Sequence, residues 1–160
     1  MTLEGKVILV TGGTGSMGKT FVKRALSGNE GTPKKVIVLS RDEAKQHYMR
    51  VEYMNKSVTT DEVIYRNFKE KLEFRIGDVR DYHDVVSALQ GVDIVINAAA
   101  LKQVPSCEYF PHQAVKTNCL GVENIIRAIR EHRFPIETVV GVSTDTVSYT
   151  HLTLPTICSV

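Results

Sequence analysis

A glycine-rich loop directly after a short apolar run constrains the fold of this chain more than any other feature. Residues Lys6–Val10 (KVILV) form a continuous run rich in β-branched side chains, which is typical of a buried parallel strand. The next residues, Thr11–Thr20 (TGGTGSMGKT), lead into a helical pattern that begins near Met17. A strand, a glycine turn and a helix in this order present backbone N–H groups to a phosphate. The segment therefore predicts a phosphate-binding loop.

Two phosphate-binding motifs overlap in this loop. Gly13–Thr20 matches GxxxxGK[ST], the phosphate loop of nucleoside triphosphatases, whereas Gly12, Gly15 and Gly18 have a dinucleotide-binding spacing. A triphosphatase also needs a second strand that ends in an aspartate to order magnesium. The corresponding strand here is Asp93–Asn97 (DIVIN), and three alanines follow it. This favours dinucleotide binding, with a P-loop nucleotide-binding protein as the alternative.

Strand-like and helix-like segments alternate along the rest of the chain. Further strands are expected at Lys35–Ser40, Leu72–Ile76 and Glu137–Val142. Helices are expected at about 17–27, 42–53, 81–89 and 108–131, with Asp81 as an N-cap, whereas 55–71 is expected to be a loop with a helical turn. The alternation predicts an α/β fold, a Rossmann-type doubly wound parallel sheet truncated after about the fifth strand.

Composition excludes several classes of protein. The 160 residues suit one domain, and a net charge of +2 is too balanced for nucleic acid or a membrane surface as the main partner. No apolar run approaches the roughly 18 residues of a membrane span. The three cysteines, Cys107, Cys119 and Cys158, form no CxxC pair, which predicts free thiols in the cytoplasm. The histidines lack ligand spacing, so no metal site is expected.

The residues at the ends of the later strands indicate which dinucleotide the chain binds. Ser40 and Arg41 stand where an NAD site usually carries an acid, and Arg41 can pair with a 2′-phosphate, so NADP is favoured and NAD remains possible. The other interpretation is that Arg41 is solvated and Asp42 caps the next helix. Thirteen residues are expected to bind the cofactor on these grounds: Gly12, Thr14, Gly15, Ser16, Met17, Gly18, Ser40, Arg41, Asp78, Val79, Ala98, Ala99 and Ala100.

Several stretches resemble the extended short-chain dehydrogenase/reductase family, and within it the nucleotide-sugar 4,6-dehydratases of polysaccharide synthesis. The matching segments are TGGTGSMG (11–18), LSRDE (39–43), GDVRD (77–81), NAAALKQVPSCE (97–108), KTNCLGVENII (116–126) and STD (143–145). The resemblance implies an enzyme that holds NADP tightly and acts on a UDP-N-acetylhexosamine such as UDP-N-acetylglucosamine. It also implies a homo-oligomer for the full-length protein.

The resemblance also assigns roles to individual residues. Thr144 and Asp145 would supply a hydroxyl near the sugar 4-OH and an acid, and Lys102 would act beside the nicotinamide and sugar. Lys102 and Asn118 would contact the cofactor region, with Asn118 bracing the catalytic strand. A UDP-sugar 4-epimerase on the same scaffold is the first alternative, and a cofactor-binding module without chemistry is another.

The family pattern stops after Asp145. Position 146 carries threonine where the family pattern has lysine. The family pattern also places a lysine four residues after a tyrosine, but Tyr149 is followed at that distance by Thr153. The run from Val147 to Thr156 (VSYTHLTLPT) resembles the translation of a transposon-type sequencing adapter. We therefore expect 1–145 to be an incomplete NAD(P)-binding Rossmann domain and 146–160 to be a non-native tail. Such a fragment is expected to bind cofactor without dehydratase turnover.

Overall fold

The computed structural model, which describes residues 2–55 and 62–142, contains a five-stranded parallel sheet. The strand order is β3-β2-β1-β4-β5. The strands are β1 (Val7–Thr11), β2 (Lys35–Ser40), β3 (Leu72–Ile76), β4 (Ile94–Asn97) and β5 (Thr138–Gly141). The chain reverses direction across the sheet after β3, and this order confirms the expected Rossmann-type α/β fold.

Alternating side chains of the central strands build two separate cores. In β1, Ile8 and Val10 pack on one face of the sheet and Leu9 packs on the other, and all three are fully buried. The same alternation runs through β2 and β4. Both faces of the sheet therefore need a helical layer, which explains why the strands have continuous apolar runs.

The helices divide between the two faces. They are α1 (Ser16–Ser27), α2 (Glu43–Asn55), α3 (Glu62–Lys71), α4 (Tyr82–Leu89), α5 (Val104–Tyr109), α6 (Pro111–Val115) and α7 (Gly121–His132). Helices α1, α2 and α3 contribute to the core that contains Ile8, whereas α4 and α7 contribute to the core that contains Leu9. Asp81 caps α4 by accepting from two backbone N–H groups, as expected. None of the helices described is long and apolar enough to cross a membrane.

The polar segment before β3 is a helix, so the prediction of a loop over 55–71 was wrong for its second part. Two contacts with distant residues, which cannot be predicted from the local sequence, hold helix α3 in place. Phe68 stacks on Tyr53 of α2 with ring centroids 5.2 Å apart, and the buried Asn67 amide donates to the Leu26 carbonyl at 2.8 Å. These two tertiary contacts stabilise α3 against the rest of the fold.

The single helix predicted over 108–131 was also wrong, because the structure divides this region. Helix α5 ends at Tyr109 and α6 begins at Pro111, whose ring nitrogen has no hydrogen to donate. A π-helical turn, Lys116–Leu120, then joins α6 to α7. Such a turn inserts an extra residue and is frequent at functional sites.

Candidate functional site: the strand-end cleft

A cleft of about 500 Å³ lies at the carboxyl ends of the parallel strands. This is where ligands bind in open α/β sheets, at the point where the strand order reverses. All thirteen residues expected from the sequence to bind a cofactor line this strand-end cleft, and so does Lys102. Asn118 does not line it. Thr144 and Asp145 lie outside the described residues.

Two glycines of the loop are required by the fold itself. Gly12 has φ +64°, and a Cβ there would lie 2.7 Å from the Ala98 carbonyl oxygen. A Cβ on Gly18 would lie 2.5 Å from the Gly13 Cα. No side chain fits at either contact, so the loop packs directly on the end of β4 and on the first turn of α1.

Gly15 has a different environment from its two neighbours in the motif. It is the N-cap of α1 with φ −76°, a conformation open to any residue, and a Cβ there would meet only the Gly12 oxygen at 3.3 Å. Within the described chain no side chain caps this helix end. Its first backbone N–H groups therefore face the cleft without an internal partner, which suits an anion.

The lysine and threonine of the competing triphosphatase motif are turned away from the cleft. The Lys19 ammonium pairs with Glu52 of α2 at 3.8 Å, and the Thr20 hydroxyl donates to the Ser16 carbonyl at 2.9 Å. Both residues line a separate groove between α1 and α2. Neither residue lines the strand-end cleft. The geometry disfavours the P-loop alternative.

The ends of β2 and the glycine loop are joined by a pair of hydroxyls. Thr14 and Ser40 are both buried, and their side-chain oxygens lie 2.9 Å apart. Ser40 thus supports the glycine loop. The neighbouring Arg41 remains half-exposed at the mouth of the cleft, with its guanidinium 3.6 Å from the Asp78 carboxylate.

Asp42 caps helix α2, as the alternative interpretation of this segment expected. Its carboxylate accepts from the Lys45 backbone N–H at 2.9 Å and pairs with the Lys45 ammonium at 3.1 Å. The two bonds with Lys45 hold the pKa of Asp42 below its usual value. Lys45 also lines the cleft beside Arg41, so two cations border this part of it.

Asp78, one of the residues expected to bind the cofactor, already has two cationic neighbours. Burial opposes its ionisation, but hydrogen bonds from Arg80 and the charge of Arg41 outweigh this, and its pKa is lowered. Arg80 donates to Asp78 at 2.8 Å and also reaches the side-chain oxygen of Gln113 in α6. The carboxylate is therefore fixed and ionised at the end of β3.

The floor of the cleft is formed by the residues that follow β4. The Ala98 N–H donates to the Thr11 carbonyl at 3.1 Å, so this floor extends the pairing of β4 with β1. Asn118, on the π-helical turn, acts from behind the floor. Its amide accepts from the Leu101 N–H at 2.8 Å and donates to the Leu101 carbonyl at 2.9 Å. Asn118 thus braces the segment after β4. This differs from the prediction, in which Asn118 braces the catalytic strand.

Sequence reasoning missed several residues of the cleft. Lys45 stands three residues after Asp42, and helical geometry places them on neighbouring positions, so this signal was available. Thr117 and Val142 also line the cleft. Thr117 is directed there by the π-helical turn, which nothing in the sequence indicated.

Comparison with known proteins identifies relatives along most of the chain. The polysaccharide biosynthesis protein family matches residues 8–152. The UDP-glucose 4-epimerases of Rickettsia prowazekii and Rickettsia bellii are each 41% identical over 145 residues, which is 90% of this chain and 38% of either relative. The chain therefore spans well under half the length of these relatives.

Solved structures share the fold. Pen from Bacillus thuringiensis is 34% identical with a TM-score of 0.72, over 87% of this chain and 38% of that one. A UDP-glucose-4-epimerase from Stenotrophomonas maltophila, solved with bound NAD and formylated UDP-arabinopyranose, is 24% identical with a TM-score of 0.66, over 89% of this chain and 38% of that one. The second likeness concerns the fold alone. With its Rossmann-type sheet and a match over most of its length, the chain belongs to the polysaccharide biosynthesis protein family.

Proposed function

We propose that this chain binds NADP in the strand-end cleft and forms the cofactor-binding part of an enzyme that epimerises a UDP-sugar at C4. The observation that carries the proposal is the uncapped start of α1 above Gly15, within a cleft lined by the residues of a dinucleotide motif. The reaction is suggested by the Rickettsia relatives named UDP-glucose 4-epimerases.

The shape of the cleft suits a dinucleotide in particular. The pyrophosphate would lie against the N–H groups of Ser16 and Met17, where a helix N-terminus attracts negative charge. Ala98–Ala100 offer small side chains on which the nicotinamide riboside could approach the backbone. Val79 would pack against the adenine, and Asp78 could accept from its amine.

Arg41 and Lys45 support NADP over NAD. Both line the cleft at the end of β2, where the adenosine ribose is read, and a 2′-phosphate would satisfy both cations. Asp42 pairs with Lys45, and Asp78 pairs with Arg80 and Arg41. The three cations outnumber the two carboxylates, so this part of the cleft keeps a net positive charge.

The curated relatives favour the 4-epimerase, the first alternative, over the 4,6-dehydratase expected from the sequence motifs. Bound NADP would supply a reversible hydride acceptor for the sugar C4. Of this chain's residues, we assign Lys102 to the nicotinamide and sugar end of the cleft, which it lines. Thr144 and Asp145 would hold and exchange the proton of the sugar 4-OH, and Asn118 would keep the floor in place.

Titration calorimetry tests the cofactor assignment. NADP should bind without magnesium and more tightly than NAD, whereas ATP with magnesium should give no heat of binding. Magnesium-dependent binding of ATP, together with no binding of NADP, would contradict the proposal and restore the P-loop alternative.

The reaction needs a separate test. Residues 1–142 can replace the corresponding part of the Rickettsia prowazekii relative, and the chimera assayed with UDP-glucose. We expect conversion to the C4 epimer, and loss of that conversion when Gly15→Val is introduced into the chimera. A folded chimera that binds NADP but converts no UDP-glucose would contradict the epimerase assignment.

A further inference from the structure

A buried glutamine joins the ends of two strands beneath the strand-end cleft. The Gln46 side chain, on α2, is only 6% exposed. Its amide nitrogen donates to the Ser40 carbonyl of β2 at 3.0 Å and to the Arg75 carbonyl of β3 at 2.8 Å. Because both partners are carbonyls, only the NH₂ group of the amide can face them, and its two hydrogens are both used.

These two bonds act at the point where the β2–β3 ladder ends. The Ser40 carbonyl also accepts from the Gly77 N–H at 3.2 Å, and beyond this pair the two strands separate. One continues into Arg41 and the other into Asp78. Gln46 therefore sets the spacing of the two segments just before they enter the wall of the cleft.

The backbone of Gln46 is itself held by the same part of the molecule. Its N–H donates to the Asp42 carbonyl at 3.1 Å, within the first turn of α2 that Asp42 caps. The adjacent Lys45 lines the cleft. On the β3 side, the Asp78 N–H donates to the Asp84 carboxylate at 2.9 Å. The strand ends and the start of α2 thus form one hydrogen-bonded unit, whose outer surface carries Arg41, Lys45 and Asp78.

We propose that Gln46 is a positioning residue for cofactor selectivity: by tying β2 to β3 it fixes Arg41 and Lys45 relative to Asp78, and so sets the preference for a 2′-phosphate. The proposal rests on the proposed binding of NADP in this cleft. Gln46 itself does not line the cleft and would not touch the cofactor. Gln46 would therefore affect the ratio of the NADP and NAD affinities and not phosphate binding as such.

The test measures dissociation constants for NADP and NAD in the full chain and in Gln46→Met, which keeps a similar side-chain volume but removes both donors. We expect the NADP preference to fall roughly five- to tenfold, mostly through weaker NADP binding. Gln46→Asn, whose amide is one methylene too short to reach both carbonyls, should shift the ratio in the same direction and serves if Gln46→Met does not fold.

Asn67→Leu is the matched control. Asn67 is also a buried amide, 4% exposed, that donates to a backbone carbonyl, but its partner is Leu26 at the end of α1. The Asn67→Leu substitution should lower the melting temperature and leave the ratio of the NADP and NAD affinities unchanged. A folded Gln46 variant with an unaltered ratio, or an unaltered chain that binds both dinucleotides equally, overturns the positioning role alone. An unaltered chain that binds neither dinucleotide overturns the proposed function as well.

Discussion

The two sides of the sheet differ in how deeply their apolar side chains are buried. On the β3–β2–β1 side the apolar side chains of β2 are buried, and side-chain hydrogen bonds join the strand ends: Thr14 to Ser40, and Gln46 to both β2 and β3. On the β4–β5 side, Val139 and Val140 of β5 remain 44% and 40% exposed. Apolar side chains of α7, including Ile126, are exposed there too.

The proposed cofactor-binding residues and the proposed catalytic residues fall in different parts of the chain with respect to this difference. The proposed adenosine and pyrophosphate positions lie on the β3–β2–β1 side, where these hydrogen bonds hold the strand ends in place. The proposed catalytic residues Thr144 and Asp145 come after β5 in the sequence and lie outside the described residues. The comparison predicts that substitutions on the first side affect affinity and stability strongly, and that matched substitutions on the second side do not.

Gly15→Val should have the largest effect on binding. The side chain would fill the space of the pyrophosphate, so NADP affinity should fall by about a hundredfold or more in titration calorimetry. The protein should stay folded, because a Cβ at Gly15 meets only the Gly12 oxygen. Gly141→Ala, at the end of β5 where nothing lies within 4 Å, is the control and should bind normally. Full NADP affinity in a folded Gly15→Val protein would remove the phosphate loop from the proposal.

Val36→Ala and Val139→Ala compare the stability of the two sides with the same chemical change. Val36 in β2 is fully buried, whereas Val139 in β5 is 44% exposed. Urea denaturation should show a loss of about 2 kcal/mol in the free energy of unfolding for the first and under about 0.5 kcal/mol for the second. Equal losses would mean that β5 is as well packed as β2, and the contrast between the sides would disappear.

Arg41→Asp tests the reading of the 2′-phosphate. Removing the guanidinium and adding a negative charge should shrink the preference for NADP over NAD by about tenfold, or roughly 1.4 kcal/mol. Arg127→Asp makes the same charge change on α7 at a similarly exposed side chain and should leave the preference intact. If the two variants behave alike, net charge and not Arg41 determines the selectivity.

The smallest expected effect is a change in the acid sensitivity of the β3 end. The lowered pKa of Asp78 means that the unfolded chain takes up a proton at a higher pH than the folded protein does. The contribution of this carboxylate is therefore present above its usual pKa of 3.8 and is lost as the pH falls below it. Asp78→Asn should flatten the fall in unfolding free energy between about pH 5 and pH 3. An unchanged slope would show that the pairing of Asp78 with Arg80 adds no stability.

Local patterns predicted the strands and the phosphate loop because both depend on short segments. The β-branched runs of β1 and β2 are buried on both faces, so each gives a strong signal by itself. The glycine spacing likewise places its residues without reference to distant parts of the chain. The thirteen loop and strand-end residues expected around one cleft are in fact brought together there.

What sequence reasoning missed depends on contacts between distant residues. Helix α3 is stabilised by Phe68 on Tyr53 and by Asn67 on Leu26, and neither pair is visible as a local pattern. No local sequence pattern indicates the π-helical turn either, although it determines the orientation of Thr117 and Asn118. The buried Gln46 falls in the helix predicted at 42–53, and only the fold reveals the two carbonyls that it faces.

The contact between Gly18 and Gly13 has an evolutionary consequence for the length of the loop. The Gly18 position tolerates no Cβ, and its neighbours Met17 and Lys19 both carry one. An insertion or deletion between Gly13 and Gly18 would change which residues meet at this contact, and it would place a side chain there unless another glycine took the position. We therefore expect descendants of this sequence to exchange other residues of the loop more readily than to change the spacing of these two glycines.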